Sequence, residues 1–315
     1  MTKSPPSPLA STLIPCLDTY APNRGIIRAP KTPRPSYARR SMNREPTHRT
    51  QRVAVAACTG ALLATLTLTG CAALQPKPAQ PTLTELHVID GRATDELKSL
   101  TEFLSTQHKL QFDMTVYYDD YKVGDLKVQY GRRVSIKIER PNHAAGVSVG
   151  DTRSRRFWYD GAQVTSLDEA SNTYTQIDVP DNYDDMVETM AVDYNTPLPV
   201  ADFLTSGAYD RLMDGVKSAY YLGEHRVGED LCPHLVFEGE DRDWQVWIMP
   251  GDQPVLRKLV VTYKTLPNCP QYIALLQHWN LTPTFDPADF KPAIPDQAIK
   301  VERQPSPSRE PDAKS

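Results

Sequence analysis

The chain has 315 residues, 23% of them charged and 40% apolar, which leaves room for one or two domains with a buried core and excludes collagen, coiled-coil and polytopic membrane compositions. Residues 1–52 hold ten Lys/Arg against two Asp/Glu, a net +8, while residues 71–315 hold 25 against 37, a net −12. So acidic a body argues against nucleic acid, whose binding rests on cations that neutralise phosphates, and five cysteines are too few for a disulfide-built scaffold.

In chain order, residues 1–41 are rich in proline and arginine and read as an extension ahead of a true start at Met42. Basic residues up to Arg52 precede the uncharged run 53–68, which ends in Leu68-Thr69-Gly70-Cys71. A positive segment followed by a short apolar one is the layout of a secretory signal, and the run is shorter than the ~20 apolar residues a spanning helix needs. Its end resembles the lipobox of bacterial lipoprotein precursors. That resemblance implies a signal peptide over 42–70, cut before Cys71, and covalent diacylglycerol plus an N-acyl chain on Cys71. Several acyl chains give lasting anchorage where one gives only marginal binding. Ala72 after the cysteine, in place of Asp, implies sorting to the outer membrane, on its periplasmic face. Residues 71–86 (Gln75-Pro76-Lys77-Pro78 among them) form a semi-extended tether.

Leu97, Leu100, Phe103 and Leu104 recur at helical spacing, predicting an amphipathic helix over 89–107. The period then changes to two. Phe112, Met114, Val116 and Tyr118 alternate with polar residues, as do Val134, Ile136 and Ile138, the mark of strands with one wet face. Short strands follow at 145–149, 156–159, 164–167 and 173–179, separated by turn residues such as Pro141-Asn142 and Asp160-Gly161. Helices are expected at 181–193, 199–205 and 209–216, then strands at 219–227, 232–237, 244–249, 256–264 and 272–279. Nineteen of the 28 prolines lie outside 82–282, which marks the middle as the globular part. The expected organisation is one domain over 87–301 with a disordered tail over 302–315. About ten or more antiparallel strands with a few helices predict an α+β, mainly antiparallel fold: a strongly curved sheet or half-open β-barrel covered by helices.

Arg156-Phe157-Trp158-Tyr159-Asp160-Gly161, Leu198-Pro199-Val200-Ala201-Asp202-Phe203-Leu204 and Cys232-Pro233-His234-Leu235-Val236-Phe237 resemble stretches of a bacterial family of unknown function, number 2092, of predicted periplasmic proteins. The likeness continues through Asp243 to Ile248, Arg257 to Lys264, Pro270-Gln271-Tyr272 and Trp279-Asn280, over roughly residues 88–300. The strand–helix–strand plan is similar to that of the lipoprotein carriers LolA and LolB, which implies a half-open barrel that shelters acyl chains.

The candidate sites follow. Gly146-Val147-Ser148-Val149-Gly150 matches G-x-S-x-G, but valines on both sides continue a strand where a nucleophile elbow needs a sharp turn, so no catalytic residue is assigned. Cys232 and Cys269 are disulfide candidates in an oxidising periplasm; a bond closing the 36 residues between them would be worth ~3–4 kcal/mol. With His234 they are also a weak metal-ligand set, and no metal or other cofactor is expected. Trp158, Trp244, Phe112 and Met114 are candidate ligand-binding residues, though aromatics of this kind also serve as ordinary sheet core. Trp244 and Trp247, three apart on one strand, face opposite ways. Arg153, Arg155 and Arg156 form a basic cluster beside a turn, a contact for lipid phosphate or simply a solvated turn. Asp119-Asp120 reads as turn chemistry and Asp184-Asp185 as a helix start.

The leading reading is a non-enzymatic envelope lipoprotein whose curved sheet binds a lipid or acyl chain. Its rivals are a structural or assembly partner of another envelope protein, with a packed barrel, and a periplasmic hydrolase.

Overall fold

Asp90 sets the first element: its side chain accepts a hydrogen bond from the Arg92 amide at 2.9 Å and caps α1, Gly91–Thr106. Ala93, Leu97, Leu100 and Leu104, spaced by three and four, form its fully buried stripe. The computed structural model describes residues 87–123 and 126–306, all within one compact unit. Cys71, the signal segment and the whole tether lie outside the described residues.

The alternating segments then form a meander: β1 (Lys109–Val123), β2 (Leu126–Glu139), β3 (His143–Gly150), β4 (Ser154–Tyr159), β5 (Gln163–Asp168) and β6 (Thr173–Asp178). Asn182 caps α2 (Tyr183–Val192) by accepting from the Asp185 amide at 2.9 Å, with Asp184 and Asp185 in the first turn where the helix dipole favours them. A 3-10 turn at Ala201–Leu204 and α3 (Ala208–Met213) follow. A second meander comprises β7 (Val216–Val227), β8 (Asp230–Gly239), β9 (Arg242–Met249), β10 (Val255–Tyr263) and β11 (Gln271–Asn280); β12 (Ile299–Lys300) comes last.

β11 pairs antiparallel with β1, which joins the two meanders into one sheet of order β12-β6-β5-β4-β3-β2-β1-β11-β10-β9-β8-β7. Among the described strands only β12, parallel to β6, departs from the antiparallel rule. The sheet is curved and open, as its two different outer strands require, rather than closed into a barrel. Bulges in β1, β7, β10 and β11 bend it locally. Ile89 adds a parallel bridge to Ala219 at the start of the β7 edge.

α1, α2 and α3 pack on the inner face, where alternate strand residues join them in one core that includes Phe112, Val134, Ile177, Phe237, Val246 and Leu276. The outer face carries two smaller clusters. Ala145, Trp158 and Leu167 lie under Phe290 and the chain around it; Val227, Cys232, Trp247 and Val260 form the other.

Two expectations are corrected here. Asp119 and Asp120 sit inside β1, buried, instead of in a turn: Asp119 accepts from the Gln271 amide at 2.9 Å and pairs with Lys127 at 3.3 Å, so the hairpin arms extend past them. Residues 302–306, expected in the tail, lie on the domain. Arg303 donates to the Tyr194 carbonyl at 2.7 Å and to Thr196 Oγ1 at 2.6 Å, and the Ser306 amide donates to the Asp193 carbonyl at 2.6 Å.

Candidate functional site

The two halves of the inner face are filled differently. α1 and α3 lie against the β7–β11 half. Beneath α2 and the following strap, residues 196–201, the β1–β6 half keeps a cavity of about 310 Å³, at the lower edge of the range of ligand pockets. Strand parity builds its floor: Phe112 and Met114 from β1, Val134, Ile136 and Ile138 from β2, and Phe157 from β4. Met186, Val187 and Met190, one face of α2, supply the roof.

The roof is fastened by a few polar bonds. Arg140, just past β2, donates from Nε to the Gln107 carbonyl at 2.8 Å and from Nη2 to the Leu204 carbonyl, with its guanidinium 5.2 Å from the Tyr183 ring centre. One side chain thereby ties the end of α1, the 3-10 turn and α2. Tyr159 Oη donates to the Pro180 carbonyl at 2.6 Å, and the Tyr183 amide to the Pro141 carbonyl at 2.8 Å. Burial, helped by the Asp181 and Asp160 carboxylates, pushes the Tyr159 phenol up to about 12; burial pushes Tyr272 up to about 12 as well. These hydroxyls therefore stay protonated at neutral pH.

The cavity is apolar at one end of the strands and polar at the other. Register places Arg132 opposite Gly150, and Ser148 opposite Arg155, at the end towards the β3–β4 turn. Thr152, Arg153, Ser166 and Thr175 join them in the wall. Gly150 has to be glycine: a Cβ there would lie 2.9 Å from the Arg132 Cβ.

Of the four predicted ligand residues, Phe112 and Met114 line the cavity. Trp158 lies on the opposite face of the sheet, in the cluster under Phe290. Trp244 is on the inner face but in the filled half, stacked on Phe237 at 3.8 Å; it borders a lesser hollow of about 100 Å³ beside Asp202 and Arg242. Trp247 faces outward, as its odd spacing from Trp244 requires, and stacks on His234 at 3.9 Å. Of the basic cluster, Arg153 and Arg155 reach the cavity wall, while Arg156 points the other way and pairs with Glu169 at 2.7 Å. Arg132 was missed, although it continues the Val134, Ile136, Ile138 series and so had to share their face. Ser148 lines the wall from a straight run of β3, paired on both sides, with no elbow at the serine.

The disulfide expectation is corrected: Cys232 and Cys269 are both free, the first buried and the second exposed. Through the paired rows of β8 to β11 they fall at opposite ends of the strands, about six residues or ~20 Å apart along them, far beyond disulfide reach. The same separation keeps Cys269 from any metal set with Cys232 and His234. Among the described residues no group of three or more His, Cys, Asp or Glu is placed to hold a metal. Among them, too, no helix is long and apolar enough to cross a membrane.

Fold and site together define an α+β protein of one open antiparallel sheet with an apolar chamber under a helical roof. The chain belongs to the family described as predicted periplasmic protein (DUF2092), whose model matches residues 93–303. Among solved structures it is similar to the lipoprotein LppX of Mycobacterium tuberculosis, with 10% identity, TM-score 0.40, and coverage of 62% of this chain and 100% of that one. It is similar to LprF from Mycobacterium bovis, with 11% identity, TM-score 0.40, and coverage of 67% and 99%. A LolA superfamily protein from Nitrosomonas europaea has 8% identity, TM-score 0.31, and coverage of 64% and 97%. No curated protein matches the chain.

Proposed function

We propose that this protein is an envelope-anchored periplasmic lipoprotein that holds an apolar ligand, a lipid or acyl chain, in the chamber under α2 and performs no covalent chemistry on it. The observation that carries the reading is the hollow itself. Interiors are normally close-packed, and an open-mouthed space of about 310 Å³ walled mainly by apolar side chains holds poorly bonded water that an apolar group displaces with a gain, so the space is best understood as room for an occupant. An alkyl chain gains ~0.8 kcal/mol per buried CH₂, and about ten methylenes would offset a substantial part of the cost of association. The neutral phenols and the unbent strand at Ser148 favour holding over chemistry. The rival reading, an assembly partner with a packed barrel, needs a filled interior, and the cavity counts against it.

The anchor follows from the leader: diacylglycerol and an N-acyl chain on Cys71, with the domain on the periplasmic face of the outer membrane. Native mass spectrometry of the protein purified from its membranes should show a co-purified lipid released on unfolding. Protein that arrives empty and takes up no acyl chain would refute the ligand. Cys71→Ser should move the protein out of the membrane fraction, and its continued sedimentation with outer membranes would refute the anchor.

A further inference from the structure

Among the described residues the wall of the chamber contains four arginines, Arg132, Arg153, Arg155 and Arg303, and no Asp or Glu, although the chain from residue 71 onward carries a net −12. Three of the four converge at one end. Arg132 on β2 and Arg155 on β4 flank β3, where Gly150 contributes no side chain and Ser148 only a hydroxyl; Arg153 follows the β3–β4 turn. Arg132 Nε is buried and makes no hydrogen bond, and a buried donor left so is costly unless something accepts from it. Its guanidinium lies 5.1 Å from the Tyr118 ring centre, a contact that fixes its position without satisfying that N–H. Arg153 and Arg155 lie 3.9 and 3.7 Å from Asp168, the cross-strand neighbour of Arg155, which is not one of the wall residues. The opposite end is hydrocarbon: Phe112, Ile138, Val164, Ile177 and Val187.

We infer that the ligand is an anionic amphiphile, its carboxylate or phosphate-ester oxygens accepting from Arg132 with Arg155 beside it and its alkyl chain running along the strands toward Phe112 and α2. The inference rests on the chamber being a ligand site and adds which class of lipid it takes. Charge-assisted hydrogen bonds from a guanidinium in a partly desolvated pocket are the strong ones, and an uncharged head would leave the Arg132 donor unmet.

The test is calorimetric titration of the full chain, stripped of lipid, with laurate, dodecyl phosphate, dodecanol and inorganic phosphate. Laurate or dodecyl phosphate should bind at least about tenfold tighter than dodecanol, and inorganic phosphate at the same concentration should not displace either. Arg132→Gln should remove the advantage of the anion and leave dodecanol affinity unchanged. Arg155→Gln, at the more exposed mouth, should reduce the advantage too, and it decides the matter if the thermal melt shows Arg132→Gln unfolded. Equal affinity for dodecanol and the two anions in the parent protein would overturn the head-group assignment while leaving the chamber a lipid site. Displacement by inorganic phosphate would overturn it in favour of a plain anion site. If none of the three dodecyl compounds binds, the chamber reading falls with it.

Discussion

The hollow half of the inner face can be told from the filled half by making the same substitution in both. Ala144 on β3 and Ala274 on β11 are buried on the same face of the same sheet, 4% and 0% exposed, but only Ala144 lines the chamber. Ala274→Phe drives a ring into packed core, where overpacking costs ~1–3 kcal/mol. In a domain of this size each kcal/mol shifts the melting temperature by roughly 2–4 °C, so a drop between about 2 and 12 °C is expected. Ala144→Phe places its ring in open space. Burial of a phenyl side chain gains ~1.5–3 kcal/mol and loses up to about 1 kcal/mol in rotamer freedom and fit, so its melting temperature should hold or rise by a few degrees. The assay is scanning calorimetry on lipid-stripped protein, paired with titration of laurate, whose binding Ala144→Phe should abolish and Ala274→Phe should spare. Equal destabilisation by both substitutions would refute the reasoning, since it would mean that the space under α2 is not available to a side chain.

Three further outcomes follow from the same structure. Arg140→Ala removes the bonds that tie α1, α2 and the 3-10 turn and strands the Leu204 carbonyl; it should cost roughly 2–4 kcal/mol in urea unfolding and raise hydrogen exchange over residues 181–206 first. Burial raises the Asp202 carboxyl from its ordinary 3.8 to about 6 against the opposing pull of Arg242 and Arg211; the folded protein therefore holds this proton more tightly than the unfolded chain. Its contribution to stability is full below about pH 4, declines by about 3 kcal/mol as pH rises through 6, and is then level. Asp202→Asn should flatten that slope in denaturation curves between pH 4 and 6, and an unchanged slope would refute the assignment. Maleimide should label Cys269 in the native protein and Cys232 only after unfolding, with no change in mass on reduction; native labelling of Cys232, or a bond between the two, would contradict the observed sheet.

The open antiparallel sheet was legible because each strand carries its own parity signal. Val134, Ile136 and Ile138 had to share a face, and Trp244 and Trp247 had to part. Helix spacing likewise placed α1 and α2 to within a few residues. What parity leaves open is which inner-face residues meet a neighbour and which meet space. Phe112 and Phe237 give the same local signal, but one lines the chamber and the other lies under Trp244, because α1 and α3 sit on one half and α2 on the other. Trp158 reads as a pocket aromatic until β4 is paired: Tyr159 then faces the chamber, and its neighbour must face away. Arg132 was legible by parity and was passed over because charge at a strand end ordinarily means solvent. The 3-10 turn at Pro287–Phe290 and the two-residue β12 left no periodic trace; they are held by outer-face contacts made across more than a hundred residues of sequence.

The parallel bridge between Ile89 and Ala219 decides how load enters this molecule. With the Asp90 amide bonded to the Ala219 carbonyl and the Ala219 amide to the Val88 carbonyl, a pull on the chain at residue 88 is taken up as shear along β7, in the solid flank of the sheet. The arginine-rimmed opening lies six strands away, roughly 25–30 Å measured across the ribbon. Under the anchoring proposed above, a pull from the membrane would load that flank and leave the doorway neither pulled shut nor pried apart.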